Sequence, residues 1–474
     1  MRFLGLDVGT TNLKAVVVEV RGGRATAVAH AAAPTPAGGL ALQQAAARLV
    51  AEVGADVSAI GIASMAETGV PLDDDGVPLG DLVRWDPSRA ARHAASLAAA
   101  HGADALFGAT GVRPSGKVPL AVWAQLREEE PDRWAAMARW AGAADLLALA
   151  LTGRLLTDHT LAGRTMAYRL PAPGDPVPRA FDADLLGAVG LRPEQLPEVV
   201  TPGTVAGHVG WEGAWGLRPG TPVVLAGHDH PVGAWAAGVR EPGDVADSVG
   251  TAESVVRVLG HRPDPCAVAA AGMSLVRTVE GRREALVAGS SSAGATLAWW
   301  AERVGGFAVL APQLEAAATR RRSTSAPLLL PYLHGRQSPR PGLAARTVVV
   351  GHGPEHDDVD LAAAVVDGLA LQARWMLTAQ AALAGADPAA GEVHVLGSAA
   401  EPGSAWLRAK AAAGPAALRV VTEREPVAVG AAMLAAHRTG LAEVRPLDSA
   451  PVGEGAEPVY DVLYERFVAA AQGA

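Results

Sequence analysis

Two apolar strands in this chain each run straight into an aspartate and then into small, polar residues. Residues 3–8 read FLGLDV and continue GTTNLK, and residues 223–228 read VVLAGH and continue DHPVGAWAAG. A carboxylate at the end of a buried strand is costly unless a cation or hydrogen-bond donor meets it. That pattern points to α/β structure with ligands gathered at strand ends. In the first turn Gly9 lets the backbone pass close to a ligand. Thr10, Thr11, Asn12 and the turn amides offer donors to phosphate oxygens, and Asp7 could hold a hydrated magnesium ion beside them. The same residues also suit a tight hairpin in which Asp7 caps its own turn. No G-x-x-x-x-G-K-[ST] loop and no G-x-G-x-x-G fingerprint follows the first strand, so the usual P-loop and dinucleotide readings lose their support.

Alternation and valine content predict further strands at 15–20, 25–31 and 57–63, with the turns at 9–12 and 22–23 joining 3–6, 15–20 and 25–31 as successive hairpins. Helical spacing appears at 40–52, 90–100, 119–127 and 133–151, and proline and polar residues at 171–179 read as a loop. A new strand at 222–226 places a domain boundary near 220, giving domains 1–220 and 221–474. Beyond it come a small-residue helix at 231–237, a strand at 245–248 ending at Gly250–Thr251, and a long helix at 359–379. A strand at 393–396 closed by Gly397 and a helix at 427–437 follow. Each half thus opens with a strand feeding a polar loop, a weak sign of duplicated architecture.

The second aspartate, Asp229, stands just before small helical residues, where its carboxylate could take a proton from a hydroxyl, or simply cap the helix. His228 and His230 flank it. Extended alternation would point both imidazoles one way and Asp229 the other, which argues against a metal at this tripeptide. With 474 residues, 50% hydrophobic and 19% charged, the chain can bury large cores. Its net charge of −9 argues against a nucleic-acid partner. Cys266 is the one cysteine, which excludes an intramolecular disulfide or an all-cysteine metal site. The N-terminal apolar run is interrupted by Asp7, and no smooth apolar stretch reaches spanning length, so a cytoplasmic protein without a membrane partner is expected. The acid- and histidine-rich run 352–358 reads as solvated loop and Arg320–Arg322 as an exposed basic turn. Trp299 and Trp300 are expected to pack against a neighbouring element, and Cys266 is assigned no chemistry.

Across nearly its whole length the chain resembles the FGGY family of carbohydrate kinases, in particular its xylulose kinase-like branch. The resemblance rests on GLDVGTTNLK (5–14), GIASMAETGVPLDDDG (61–76), LVRWDPSRA (82–90) and DLLALALTGRLLTDHTLAGRTMAYRL (145–170). It continues through GHDHPVGAWAAG (227–238), DSVGTAES (247–254), LLPYLHGRQSPR (329–340), the helix at 359–375 and VHVLGSAAEPGSAW (393–406). It implies a two-domain actin-like/hexokinase-like ATPase (ribonuclease H-like) fold with a central cleft, using ATP and Mg2+ on a small sugar or polyol. A homodimer is compatible with it. Carried over residue by residue, Asp229 is the catalytic base and Asp7 the magnesium-associated acid. Glu67, Trp85, Asp86, Asp229 and His230 bind substrate. Gly9, Thr10, Thr11, Asn12, Gly250 and Thr251 bind the phosphates, and Gly397, Ser398 and Ala399 form the adenosine turn. Arg84 or Arg89 is expected to orient the carboxylates, to meet a substrate oxygen, or to belong to an Arg–Asp surface network near a turn. Lys117 approaches the cleft in this reading, without a role.

Three positions depart from the family pattern. The early sugar loop has Ala66–Glu67 where xylulose kinases carry Met-His, and Glu67 resembles the acid of glycerol- and ribulose-type members. His230 stands where Asn or Gln commonly follows the base, and the adenosine turn has Gly397–Ser398–Ala399 in place of a glycine pair or triplet. The expected acceptor is a pentulose-like ketose phosphorylated at a primary hydroxyl. Rival readings are a non-catalytic nucleotide-binding regulator of the same fold, a kinase for a polyol or sugar acid, and a nucleotide-dependent enzyme acting on a nonsugar substrate.

Overall fold

The computed structural model describes residues 1–54, 56–86, 88–211, 214–397, 399–401, 403–453 and 455–473. Contacts divide them into two compact units. The first comprises Met1–Gly238, Leu275–Glu284 and Glu425–Leu447, and the second Val239–Ser274, Ala285–Arg424 and Asp448–Ala474.

The first unit is built on β1 (Arg2–Val8), β2 (Asn12–Arg21), β3 (Arg24–Pro34), β4 (Ile60–Ser64), β5 (Gly207–His208) and β6 (Pro222–His228). Their order is β3-β2-β1-β4-β6-β5. The first three strands form the expected antiparallel meander, whereas β1, β4 and β6 run parallel. Parallel strands are covered on both faces, which is why these three read as unbroken apolar runs. Leu4, Leu6, Val8, Ile60, Ile62 and Leu225 pack on one side with the helices Gly39–Val53 and Ala143–Thr152. The opposite face is covered by the helix Pro426–Arg438. Gly5 and Gly61 are register partners in β1 and β4. A Cβ on Gly5 would stand 1.8 Å from the Ala428 carbonyl oxygen, and one on Gly61 would stand 1.9 Å from that of Ala431. The two glycines are therefore the seat on which this helix lies.

Three sequence expectations are corrected here. The strand at 222–228 belongs to the first unit, because β6 completes the parallel core beside β4; the units part at Gly238/Val239 and not near 220. The helix predicted at 427–437 forms, but in the first unit, since its small residues fit the glycine seat. The continuous helix expected over 133–151 is interrupted by a strand, Arg139–Gly142, which pairs with Gly69–Leu72. That pairing buries Trp140 and overrides local helix preference.

The second unit contains β7 (Val245–Val249), β8 (Glu253–Leu259), β9 (Glu284–Ser290), β10 (Glu392–Leu396), β11 (Ala417–Val421) and β12 (Ser449–Pro451), in the order β9-β8-β7-β10-β11-β12. The long helix Asp358–Leu383 packs beside the helix Ala405–Ala413. Asp357 caps it, accepting from the Val359 and Asp360 amides, both at 2.9 Å. Part of the run expected as solvated loop is therefore a helix start. The basic turn also differs from expectation. Arg320 pairs with Asp357 and Asp360 near the surface, but the Arg322 side chain is only 9% exposed and lies 2.6 Å from the buried Asp367, to which the Tyr460 hydroxyl also donates. Trp299 lies under the Arg303 guanidinium, and Trp300 packs beside Ala301 and Leu310. No helix among the described residues is long and apolar enough to cross a membrane.

Candidate active site

β1 carries Asp7 to its penultimate position, beside Ala63 of β4 and Lys14 of β2. Asp7 is buried, and its Oδ1 has no hydrogen-bond partner among the described residues. Burial pushes its carboxyl up to about 7; Lys14 opposes the shift, and the charges of Asp229 and Glu425 add to it. Lys14 is held by Glu425, 2.5 Å away. A buried carboxylate oxygen with no donor suits a cation. The turn itself is closed by the Gly9 amide donating to Asn12 O (3.0 Å) and the Thr35 hydroxyl donating to Gly9 O (2.7 Å).

Trp85 joins this turn to the predicted substrate segment: its indole N–H donates to the Thr10 hydroxyl at 3.1 Å, and its amide donates to the Thr68 hydroxyl. Arg84 donates to the carbonyl oxygens of Thr10, Thr35 and Pro36. It therefore clamps backbone, in place of the carboxylate-orienting role or surface network expected for it. Asp86 is exposed, and its carboxylate accepts from the Ser88 amide (2.8 Å) and hydroxyl (2.6 Å). The Ser88 hydroxyl, then its amide, hold the Asp86 carboxyl below its ordinary range. Asp86 Oδ1 thus anchors a local turn.

Glu67 follows β4 with a left-handed backbone, φ 63°, unusual for a non-glycine residue. Its side chain is 7% exposed and lies between Arg164, 2.7 Å from Oε1, and Lys117, 3.0 Å from Oε2. Burial pushes the carboxyl up, but the charges and hydrogen bonds of Lys117 and Arg164 prevail and hold it below its usual range. Lys117 also lies 5.9 Å from the Trp85 ring centroid. Arg164 is buried, and its Nε and Nη1 have no hydrogen-bond partner among the described residues. Sequence reasoning left Lys117 without a role and passed over Arg164 inside LAGRT. The only signal for either was a basic residue in an otherwise apolar or small-residue stretch.

Asp229 begins the eight-residue helix Asp229–Ala236 at the end of β6, where the helix dipole favours an anion. The approach to it is tightly built. The His228 amide donates to the Thr160 hydroxyl at 2.8 Å, and that hydroxyl in turn donates to Asp158 Oδ1 at 2.6 Å. Gly227 has φ 121°, and a Cβ there would fall 2.4 Å from Thr160 Oγ1. Arg438 supports the same corner, donating to the Leu225 and Val279 carbonyl oxygens. Asp158, Thr160 and Arg438 are positioning residues that the sequence did not single out. Because the chain turns from strand to helix at Asp229, extended alternation ends there. The ligand atoms of His228, Asp229 and His230 converge to within 4.8 Å of one another, contrary to the divergence expected. His228 Nε2 is 3.2 Å from Asp229 Oδ1. Burial, then the positive surroundings of His230, Arg164 and Lys117, pull the His228 imidazole well below its ordinary pKa. Asp7, Asp229, His228, His230, Glu67, Lys117 and Arg164 thus form one electrostatic neighbourhood in the first unit.

In the second unit, Gly250–Thr251 follow the end of β7, and the Gly294 and Ala295 amides donate to their carbonyl oxygens, both at 3.0 Å. The Ala399 amide donates to Val249 O at 3.2 Å, and a Cβ on Gly397 would fall 2.4 Å from that oxygen. Gly250, Thr251, Gly397 and Ala399 therefore meet at one strand end. Ser398, expected in the adenosine turn, lies outside the described residues.

The model of the FGGY family of carbohydrate kinases, N-terminal domain, matches residues 2–236, and that of the C-terminal domain matches residues 246–439. A xylulose kinase of Streptomyces rubiginosus is 31% identical over 449 residues, covering 91% of this chain and 87% of the relative. An autoinducer-2 kinase of Salmonella choleraesuis is 29% identical over 293 residues, 55% of this chain and 52% of the relative. The solved xylulose kinase of Rhodospirillum rubrum superposes with a TM-score of 0.83 at 23% identity, over 100% of this chain and 99% of that one, and so shares the fold. Two matching domain models and a relative alike over nearly the full length show that this chain belongs to the FGGY family of carbohydrate kinases and is an ATP-dependent carbohydrate kinase.

Proposed function

We propose that the enzyme phosphorylates a small open-chain ketose or polyol of the pentulose class at a primary hydroxyl, with Asp229 as general base. The observation that carries this reading is the carboxylate pair in the first unit. Asp229 stands at a helix start, and Glu67 is a buried, fixed acceptor of hydroxyl hydrogen bonds held by Lys117 and Arg164. As the acceptor oxygen bonds to the γ-phosphorus, its proton passes to an Asp229 oxygen, and the bond to the β–γ bridging oxygen breaks. Magnesium, when bound, neutralises phosphate charge, and Asp7, with its unpartnered buried oxygen, is the residue that would hold it. On the first unit the turn Gly9–Asn12 would meet phosphate through groups other than the Gly9 amide that closes it, and on the second unit Gly250–Thr251 would do so through groups other than the engaged Gly250 amide. Gly397, Ser398 and Ala399 would border the adenosine. Trp85 fixes Thr10 and forms an apolar wall; His230 and Asp86 complete the proposed acceptor contacts.

Overall similarity to the Streptomyces rubiginosus xylulose kinase supports the pentulose class. Similarity to the autoinducer-2 kinases favours a second reading, in which the acceptor is that of those enzymes. The test is an acceptor screen by ADP release across pentuloses, hexoses, polyols, sugar acids and autoinducer-2, with product mass confirmed. A pentulose or polyol is expected to give the highest kcat/KM, and Glu67→Ala to raise its KM while sparing ATP binding. A hexose or sugar acid preferred over every pentulose and polyol overturns the acceptor class; a preference for autoinducer-2 selects the second reading.

A further inference from the structure

The convergence of His228, Asp229 and His230 has a use that phosphoryl transfer does not require. The three residues are consecutive, yet the strand-to-helix turn sets His228 Nε2 3.2 Å and His230 Nε2 3.8 Å from one carboxylate oxygen, Asp229 Oδ1. All three ligand atoms lie within 4.8 Å of one another. A tetrahedral zinc site with nitrogen and oxygen ligands at about 2.0–2.2 Å sets its ligand atoms roughly 3.3–3.6 Å apart. Two of the observed separations bracket that range. The two rings stand crossed, with centroids 5.4 Å apart and planes at 74°. The backbone that presents them is fixed by the Thr160 and Asp158 hydrogen bonds. All three side chains are partly accessible, at 12%, 20% and 30%, so an ion can enter without unfolding the site.

We propose that His228, Asp229 and His230 bind a borderline-soft divalent transition ion of the zinc class, and that the bound ion blocks acceptor phosphorylation. Two imidazoles and one carboxylate leave one coordination position open, as in three-ligand zinc sites. The donor set selects against magnesium, a hard ion that keeps oxygen ligands and water, and for zinc, copper, nickel or cobalt. Lys117 and Arg164, whose positive charge reaches His228, are both paired with Glu67. Coordination neutralises the Asp229 carboxylate that otherwise receives the hydroxyl proton. The blocking role therefore rests on Asp229 being the base, whereas the ion site does not. The ion is reversible and distinct from catalytic magnesium, so the kinase would sense free transition metal at its own base.

The test uses the full chain, treated with chelator and then dialysed. Co2+ titration, followed by its visible absorption, is expected to saturate at one ion per chain. His228→Gln and His230→Gln are each expected to weaken Co2+ binding by about 10-fold or more, by analogy with the sensitivity of metal sites to altered ligation. His356→Gln, in the other described imidazole pair, is expected to leave it unchanged. In assays with Mg-ATP and D-xylulose, Zn2+ is expected to raise the apparent KM for the sugar, reversibly with chelator. Unchanged Co2+ binding in both tripeptide variants overturns the site, as does its loss in His356→Gln. Tight Co2+ binding without Zn2+ inhibition overturns the blocking role. Full turnover by Asp229→Asn overturns the base reading and the blocking role together, while Co2+ binding lost in the histidine variants still upholds the ion site.

Discussion

Asp229 is the residue on which the proposed chemistry turns. Among the described residues its partners are the His230 amide and the imidazoles of His228 and His230. Asp229→Asn keeps the shape and the helix-start hydrogen bond but removes the proton acceptor. Turnover is expected to fall by roughly 10²–10⁴-fold, with ATP affinity and melting temperature little changed. Steady-state kinetics and thermal melting on the same preparation check this; near-normal kcat removes Asp229 from the role. Glu67 differs in kind. Its carboxylate is matched by two cations, and its left-handed backbone marks a site where conformation is dictated by surroundings. The presence of acids at 7, 67 and 229 was legible in the chain. Of their neighbours, Lys117 was expected near the cleft but without a role, and those at 158, 160 and 164 were not legible, because no local spacing links residues that meet only through the fold.

At the scale of elements, two contacts are predicted to be the least forgiving. Gly61 underlies the helix Pro426–Arg438, and a methyl group there meets the Ala431 carbonyl, which is backbone and cannot rotate away. Gly61→Ala is expected to destabilise the chain by at least about 1–3 kcal/mol, the usual cost of overpacking. Urea unfolding measures it, and an unchanged midpoint contradicts the seat described for this helix. The second contact is Asp145, whose Oδ2 accepts from the Gly142 amide at 2.8 Å at the start of the helix Ala143–Thr152. Burial pushes its carboxyl up to about 7; hydrogen bonds from Thr157 and Gly142 oppose the shift, and the charge of Asp158 adds to it. A pKa raised on folding means that the folded state keeps a proton the unfolded chain releases. Stability from this group is therefore complete below the unfolded carboxyl pKa and is lost as pH rises through about 7. Asp145→Asn cannot titrate, so its melting temperature should gain on wild type between pH 4 and pH 8. A constant difference across that range contradicts a neutral buried Asp145.

For the whole molecule, chain order and structural units do not coincide. The first unit takes residues 1–238 and then recovers two later segments, of which Glu425–Leu447 supplies the helix covering β1 and β4. Without that helix, the face around Phe3, Gly5 and Gly61 would be bare. Residues 1–238 expressed alone are expected to aggregate, and residues 1–220 more so, because they also lack β6. Joining 1–238 to 425–447 through a Gly/Ser linker is expected to restore soluble, cooperatively unfolding protein. Cooperative unfolding by 1–220 alone contradicts this division.

The sequence by itself determined the α/β class, the antiparallel opening meander, the acid-ended strands at 7 and 229 and the family. Each is written locally, in alternation, in apolar runs and in the chemistry of turns. Tertiary structure alone decided that residues 139–142 form a strand, that β6 and the helix at 426–438 belong with the first unit, and that Glu67 lies between Lys117 and Arg164. It also decided that His228, Asp229 and His230 converge, since the strand ends and the helix begins within that tripeptide. The physical reason is common to all of these. Burial against partners distant in the chain outweighs local preference, and a sequence window contains the residue but not the surface that meets it.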